Sequence, residues 1–121
     1  MSTPPVRVVT TLRVAGSPPA RDAAVATWLQ SPAAQASSRR AVLVEGVLFD
    51  RIGPQGVPLV GLGAGCPCCT GLVSLRVVLG RTLRALRPEA VLLLISRAEH
   101  LPRLRRMFDS GELGARLEIE D

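Results

Sequence analysis

The three cysteines of the chain lie within four residues of one another, in the stretch GAGCPCCTG (63–71). Cys66 and Cys68 form a C-x-C pair, and Cys66 and Cys69 form a C-x-x-C pair. Sulfurs at these spacings can converge on one soft or borderline cation. Because the chain has no other cysteine, the cluster indicates a metal site or a redox pair rather than three small residues in a tight turn.

A helix is predicted to start near Thr70, directly after the cysteines, because apolar residues then recur at intervals of three and four. The leucines of this pattern are Leu72, Leu75, Leu79, Leu83 and Leu86. An extended segment, Val57–Gly63, precedes the cysteines. The cluster is therefore expected at a helix N-terminus, where backbone N–H groups and the helix dipole stabilise negatively charged thiolates.

The only histidine, His100, follows the apolar run Ala90–Ile95, which predicts a buried strand. In an open α/β sheet, ligands bind at the carboxyl ends of the strands. The cysteine segment should also follow a strand end, so His100 is a candidate additional ligand. The alternative is a surface histidine at the start of a helix.

Length and composition predict one soluble domain covering residues 1–121. The chain is 47% hydrophobic and 21% charged, and its few aromatic residues leave Val, Leu, Ile and Ala to build the core. No apolar run is long enough to span a bilayer, and the N-terminus does not resemble a signal peptide. These features predict a cytoplasmic protein that does not associate with membranes.

The net charge is +5, and every basic residue is an arginine. Nucleic acid is not expected as a partner, because no basic patch interleaves with aromatic residues and no known binding motif is present. The absence of lysine also excludes any step that needs an amine side chain.

Strands are predicted to alternate with helices, which favours a three-layer α/β fold with a mostly parallel sheet and helices on both faces. The predicted elements are a strand from Val6 to either Val9 or Val14, a helix body at Ala23–Leu29, a polar loop at Ser31–Arg40, a strand at Ala41–Phe49, a turn-rich connection at 50–56, the extended segment Val57–Gly63, the leucine-rich helix, a strand at 88–96, a helix over 98–110 closed by Gly111, and an edge strand at Ala115–Glu120.

The sequence GCPCC (65–69) resembles the G-C-x-C-C motif of CobW-type metal-handling GTPases, which lies after a strand and before a helix. Other segments resemble that family in the same order along nearly the whole chain. The resemblance implies a P-loop-GTPase-like half-domain and a metal site at the cysteines. It also implies that Glu45, at the position of a family glutamate near the cysteines, can join that site.

The nucleotide-binding residues of the family are not present in this chain. A P-loop reads G-x-x-x-x-G-K-[ST], with glycine amides around the phosphates, a lysine and a hydroxyl. Here Thr11 stands at the first glycine, Ser17 at the lysine and Pro18 at the hydroxyl position. Neither nucleotide binding nor GTP hydrolysis is therefore expected.

The sequence thus predicts a small, nucleotide-free metal-binding protein related to these GTPases. Its ligands would be Cys66, Cys68 and Cys69, helped by Glu45 or His100. Zinc is the expected ion, with cobalt, nickel and Cu(I) as alternatives because all accept thiolates. The expected partners are a second copy of the chain or a metalloprotein client.

Two other functions stay open at this level. Cys66-Pro67-Cys68-Cys69 is also a C-P-x-C motif at a predicted helix start, as in glutaredoxin-like thiol–disulfide enzymes, with Cys66 as nucleophile and Cys69 as resolving thiol. The third possible function is that of a non-catalytic interaction module that docks onto a partner, in which the cysteines no longer have a function.

Overall fold

A computed structural model of the chain describes residues 8–45, 50–62, 72–110 and 117–120. The strands are β1 (Val8–Val14), β2 (Arg40–Val44), β3 (Arg51–Ile52), β4 (Pro58–Gly61), β5 (Ala90–Ile95) and β6 (Leu117–Glu120). The α-helices are α1 (Pro18–Leu29), α2 (Pro32–Gln35), α3 (Leu72–Leu86) and α4 (Leu101–Asp109). Short 3-10 turns lie at Pro54–Gly56 and Ala98–His100.

The strands form one sheet in the order β3-β4-β2-β5-β1-β6. β4, β2, β5, β1 and β6 are mutually parallel, and β3 pairs antiparallel with β4 at the edge. The prediction of an α/β fold with a mostly parallel sheet is confirmed. β5 lies between β1 and β2, and all of its residues are buried, as its continuous apolar sequence predicts for a central parallel strand.

Alternate residues of the central strands pack into two separate cores. Leu43, Val91 and Leu93 join one core with Leu79 of α3 and with α4. The other core contains these buried residues of the strands, of α1 and α2, and of the positions next to β1 and β4: Ala15, Val25, Trp28, Leu29, Ala34, Val42, Val44, Val57, Leu59, Ala90, Leu92 and Leu94. Since successive side chains of a strand point to opposite faces, the helices cover both faces of the sheet.

Two details differ from the predictions. The segment predicted as a polar loop at Ser31–Arg40 contains the short helix α2, because the Ser31 side chain accepts a hydrogen bond from the Ala34 N–H and Pro32 suits the first turn. The turn-rich connection at 50–56 contains the two-residue strand β3. Gly111, predicted to close the last helix, lies outside the described residues, as does the part of the predicted second strand at 46–49.

The parallel strands end at one edge of the sheet, and backbone hydrogen bonds continue beyond them. Ala15 N–H donates to Ile95 O at 2.8 Å, Glu45 N–H to Leu94 O at 2.9 Å, and Leu62 N–H to Val44 O at 3.0 Å. This carboxyl edge therefore brings together the residues that follow β1, β2, β4 and β5. None of the helices in the described ranges has the length and apolar character needed to span a bilayer.

Candidate functional site at the carboxyl edge

Glu45 is a buried carboxylate at the centre of the carboxyl edge. It directly follows β2, and its backbone N–H is fixed by the bond to Leu94 O described above. Only 3% of the residue is exposed, although an isolated buried carboxylate is strongly unfavourable. The surroundings of this side chain must therefore compensate its charge.

Ser96 supplies two donors to one oxygen of that carboxylate. Its hydroxyl donates a hydrogen bond to Glu45 Oε1, and its backbone N–H lies 3.4 Å from the same oxygen. Ser96 is the first residue after β5, the neighbour of β2, so the sheet register brings the two side chains together. Hydrogen bonds to a charged acceptor are stronger than neutral ones.

His100 contacts the same oxygen from the turn that precedes α4. Its Nδ1 lies 3.3 Å from Glu45 Oε1, and its side chain is 12% exposed. The approach is within ion-pair distance but lacks hydrogen-bond alignment, and Nδ1 has no hydrogen-bond partner among the described residues. His100 is thus a mostly buried neighbour of Glu45 rather than the surface histidine considered as the alternative.

The second carboxylate oxygen of Glu45, Oε2, differs from Oε1 in its hydrogen bonding. Oε2 is buried and accepts no hydrogen bond from the part of the chain that the structure describes. Buried polar atoms without a partner are uncommon in folded proteins, and each costs about 1–3 kcal/mol. An unbonded carboxylate oxygen beside an imidazole is a suitable ligand atom for a borderline cation.

Gly16, which lies just after β1, packs closely against the backbone of Ser96 at the carboxyl edge. A Cβ atom at this position would lie 2.9 Å from the carbonyl oxygen of Ser96. This close backbone approach holds the turn after β1 against the residue that bonds Glu45. The glycine therefore supports the position of Ser96, and hence that of the carboxylate.

The segment after β1 does not form a phosphate-binding loop. Thr11 lies inside β1 and pairs with Leu92 of β5, and the strand continues to Val14. Ser17 is the N-cap of α1, and its hydroxyl accepts a hydrogen bond from Ala20 N–H. With Pro18 and Pro19 as the first helical residues, two amides that a bound phosphate would need are absent.

The structure brings together two of the five predicted site residues, Glu45 and His100. The other three, Cys66, Cys68 and Cys69, lie outside the described residues. Within the described ranges no group of three or more His, Cys, Asp and Glu residues could hold a metal ion. The contact of Ser96 with Glu45 was not predicted, although a polar residue directly after a buried strand is a recognisable signal for the carboxyl edge of a sheet.

Comparison of the chain with protein-family models, with curated proteins and with solved structures gives no significant match.

Proposed function

We propose that the protein binds a metal ion at the carboxyl edge of its sheet, through Cys66, Cys68 and Cys69 together with Glu45. His100 lies beside Glu45 and completes the surroundings of the ion. In this account the chain is a degenerate, nucleotide-free relative of CobW-type GTPases with a P-loop-GTPase-like half-domain. It would act as a cytoplasmic metal carrier or accessory protein rather than as an enzyme.

The observation that carries the proposal is the buried pair of Glu45 and His100, with one carboxylate oxygen unbonded among the described residues. A pair of this kind is unfavourable unless a further group compensates it. A cation held by the carboxylate would provide that compensation.

The cysteine segment follows β4 in the sequence, and β4 pairs with β2, the strand that Glu45 follows. Leu62, whose N–H donates to Val44 O, is joined to Cys66 by four peptide units. Four residues reach at most about 14 Å, so chain connectivity keeps Cys66 close to the carboxyl edge. The described residues thus supply the Glu45 carboxylate as a ligand, with His100 beside it, and the thiolates would come from the segment that follows β4.

The donor types favour zinc over the alternative ions. Three thiolates with one carboxylate or imidazole fit four-coordinate Zn²⁺, and Co²⁺ accepts the same set. Cu(I) prefers soft sulfur ligands and gains less from Glu45. When bound, the ion would supply a compact positive charge at Glu45, while the chain supplies the ligands and their positions.

The expected partners are a second copy of the chain or a metalloprotein client that receives the ion. β6 lies at an edge of the sheet and, within the described residues, pairs only with β1. Edge strands can pair with another chain, so two copies of the protein could form a homodimer by pairing their β6 strands.

Elemental analysis of untagged protein, purified under reducing conditions and combined with a free-thiol count, tests the proposal. We expect about one zinc per chain or per dimer, with thiols that react only after a chelator is added. The matched variant carries serine at Cys66, Cys68 and Cys69 and should contain no metal. Metal-free wild-type protein with one hyper-reactive thiol would instead support redox chemistry, and metal-free protein with inert thiols would support an interaction module.

A further inference from the structure

The two oxygens of the Glu45 carboxylate have unequal environments. Oε1 receives the hydroxyl and the backbone N–H of Ser96, and it also contacts Nδ1 of His100. Oε2 is buried and has no hydrogen-bond donor among the described residues. Because all three contacts converge on one oxygen, the rotation of the carboxylate about its terminal bond is restricted.

We propose that Ser96 is a positioning residue of the metal site, and that it makes Glu45 a monodentate ligand that binds through Oε2. This inference rests on the proposed function. A carboxylate can bind a cation through one oxygen or both, and an oxygen already engaged by two donors is a poor second ligand atom. Ser96 therefore selects the oxygen and limits the coordination number.

The position of Ser96 is itself fixed by the fold. It follows the fully buried strand β5, and the backbone of Gly16 lies against its carbonyl oxygen. Ser96 is half-buried, so water competes less for its bond to Glu45 than at an exposed site. Partners of metal ligands in such positions typically change metal affinity by about 10–100-fold when they are removed.

The same arrangement assigns a limited role to His100. Nδ1 lies 3.3 Å from Oε1, the oxygen that Ser96 also contacts. The contact of the imidazole is therefore with the oxygen that Ser96 occupies and not with Oε2. His100 thus supports the orientation of Glu45.

Titration of the metal-free, reduced full-length chain with Co²⁺ tests the role of Ser96, because cobalt absorption reports both affinity and coordination geometry. Ser96→Ala should weaken Co²⁺ binding about tenfold and change the ligand-field bands, since the freed Oε1 can approach the ion. Ser96→Thr keeps the hydroxyl and should restore the affinity to within about threefold of wild type. Ser38→Ala is the matched control, because Ser38 donates to the exposed carboxylate of Glu89 instead.

A double-mutant cycle separates positioning from a general loss of structure. If Ser96 acts through Glu45, Ser96→Ala should have no further effect on Co²⁺ affinity in the Glu45→Gln background. Equal affinity and identical spectra for wild type and Ser96→Ala would overturn the inference, and so would additive effects in the cycle. Wild-type protein that binds no Co²⁺ at all would instead overturn the proposed function on which the inference rests.

Discussion

Glu45 and Glu89 lie at opposite ends of the central strands, and each accepts a hydrogen bond from a serine hydroxyl. Glu89 directly precedes β5, and the Ser38 hydroxyl donates to its Oε1 at 2.9 Å in an exposed position. Glu45 directly follows β2, is buried, and keeps one oxygen without a donor among the described residues. A serine–glutamate pair is thus exposed to solvent at the amino edge, and a second serine–glutamate pair has a buried carboxylate at the carboxyl edge.

The backbone of Glu89 explains why its role is structural. Its N–H donates to Arg39 O at 2.8 Å, and its carbonyl accepts from Val9 N–H at 3.0 Å. The bond from Ser38 is the main reason that the pKa of Glu89 lies below its ordinary value. Glu89 therefore joins the starts of neighbouring strands. Glu45 also joins two strands through its N–H, but its buried side chain keeps Oε2 without a donor among the described residues. This difference is the reason for proposing the metal site at the carboxyl edge.

The largest expected effect comes from a cavity in β5, the strand that connects the amino edge of the sheet to its carboxyl edge. Leu92 is fully buried in the middle of β5, and Leu92→Ala should lower the free energy of unfolding by about 2–5 kcal/mol. Urea denaturation measures the change, with Ile52→Ala as the control because Ile52 is 72% exposed. Equal free energies of unfolding for the two variants would contradict the central, buried position of β5.

A second prediction concerns the close approach of Gly16 to Ser96 at the carboxyl edge. Gly16→Ala should destabilise the protein by about 1–3 kcal/mol, because its Cβ would lie 2.9 Å from a backbone oxygen that cannot move freely. Gly80→Ala is the matched control, because its Cβ would meet only the flexible end of Arg84 within helix α3. The control should gain about 0.5–1 kcal/mol from its higher helix propensity. Thermal unfolding of both variants checks the opposite signs, and a stabilised Gly16→Ala variant would contradict the described edge.

The buried glutamate should reduce the stability of the metal-free protein. Glu45→Gln keeps the shape of the side chain but removes a buried charge that the described residues compensate only through Oε1, so the free energy of unfolding of the metal-free, reduced chain should rise by about 1 kcal/mol. Urea denaturation in the presence of a chelator measures it. A clear loss of stability would mean that the carboxylate is already satisfied by the protein.

The smallest effect is expected at Glu89 and depends on pH. Because the folded-state pKa of this carboxyl is lowered, its contribution to stability is present above the ordinary pKa of about 4.3 and is lost as the pH falls through the folded-state value. Glu89→Gln should therefore have a slightly lower urea midpoint than wild type near neutral pH and the same midpoint in strong acid. A difference between the two proteins that persists in acid would contradict this explanation.

Much of the fold could be predicted from the sequence, because periodicity is a local signal. The apolar residues Ala90–Ile95 predict a buried strand, and Ala23–Leu29 predicts the body of a helix; both predictions are confirmed by β5 and α1. β3 and α2 were missed since two to four residues are too few to show a period.

The candidate site was predictable only in part. His100 was expected beyond the carboxyl end of a strand, and Glu45 was selected through a family resemblance that no comparison tests. Their contact, and that of Ser96 with Glu45, depends on β5 lying beside β2, which is a long-range pairing that no single segment encodes. The cysteine cluster stays a prediction.

The central claim is that the buried glutamate, and not the exposed one, belongs to a metal site. The most direct measurement is the Co²⁺ affinity of the metal-free, reduced wild-type chain, compared with Glu45→Gln and with Glu89→Gln as the matched control. We predict thiolate-to-cobalt charge-transfer absorption in wild type, an affinity at least about tenfold lower for Glu45→Gln, and an unchanged affinity for Glu89→Gln. Equal affinities for all three proteins would contradict the account.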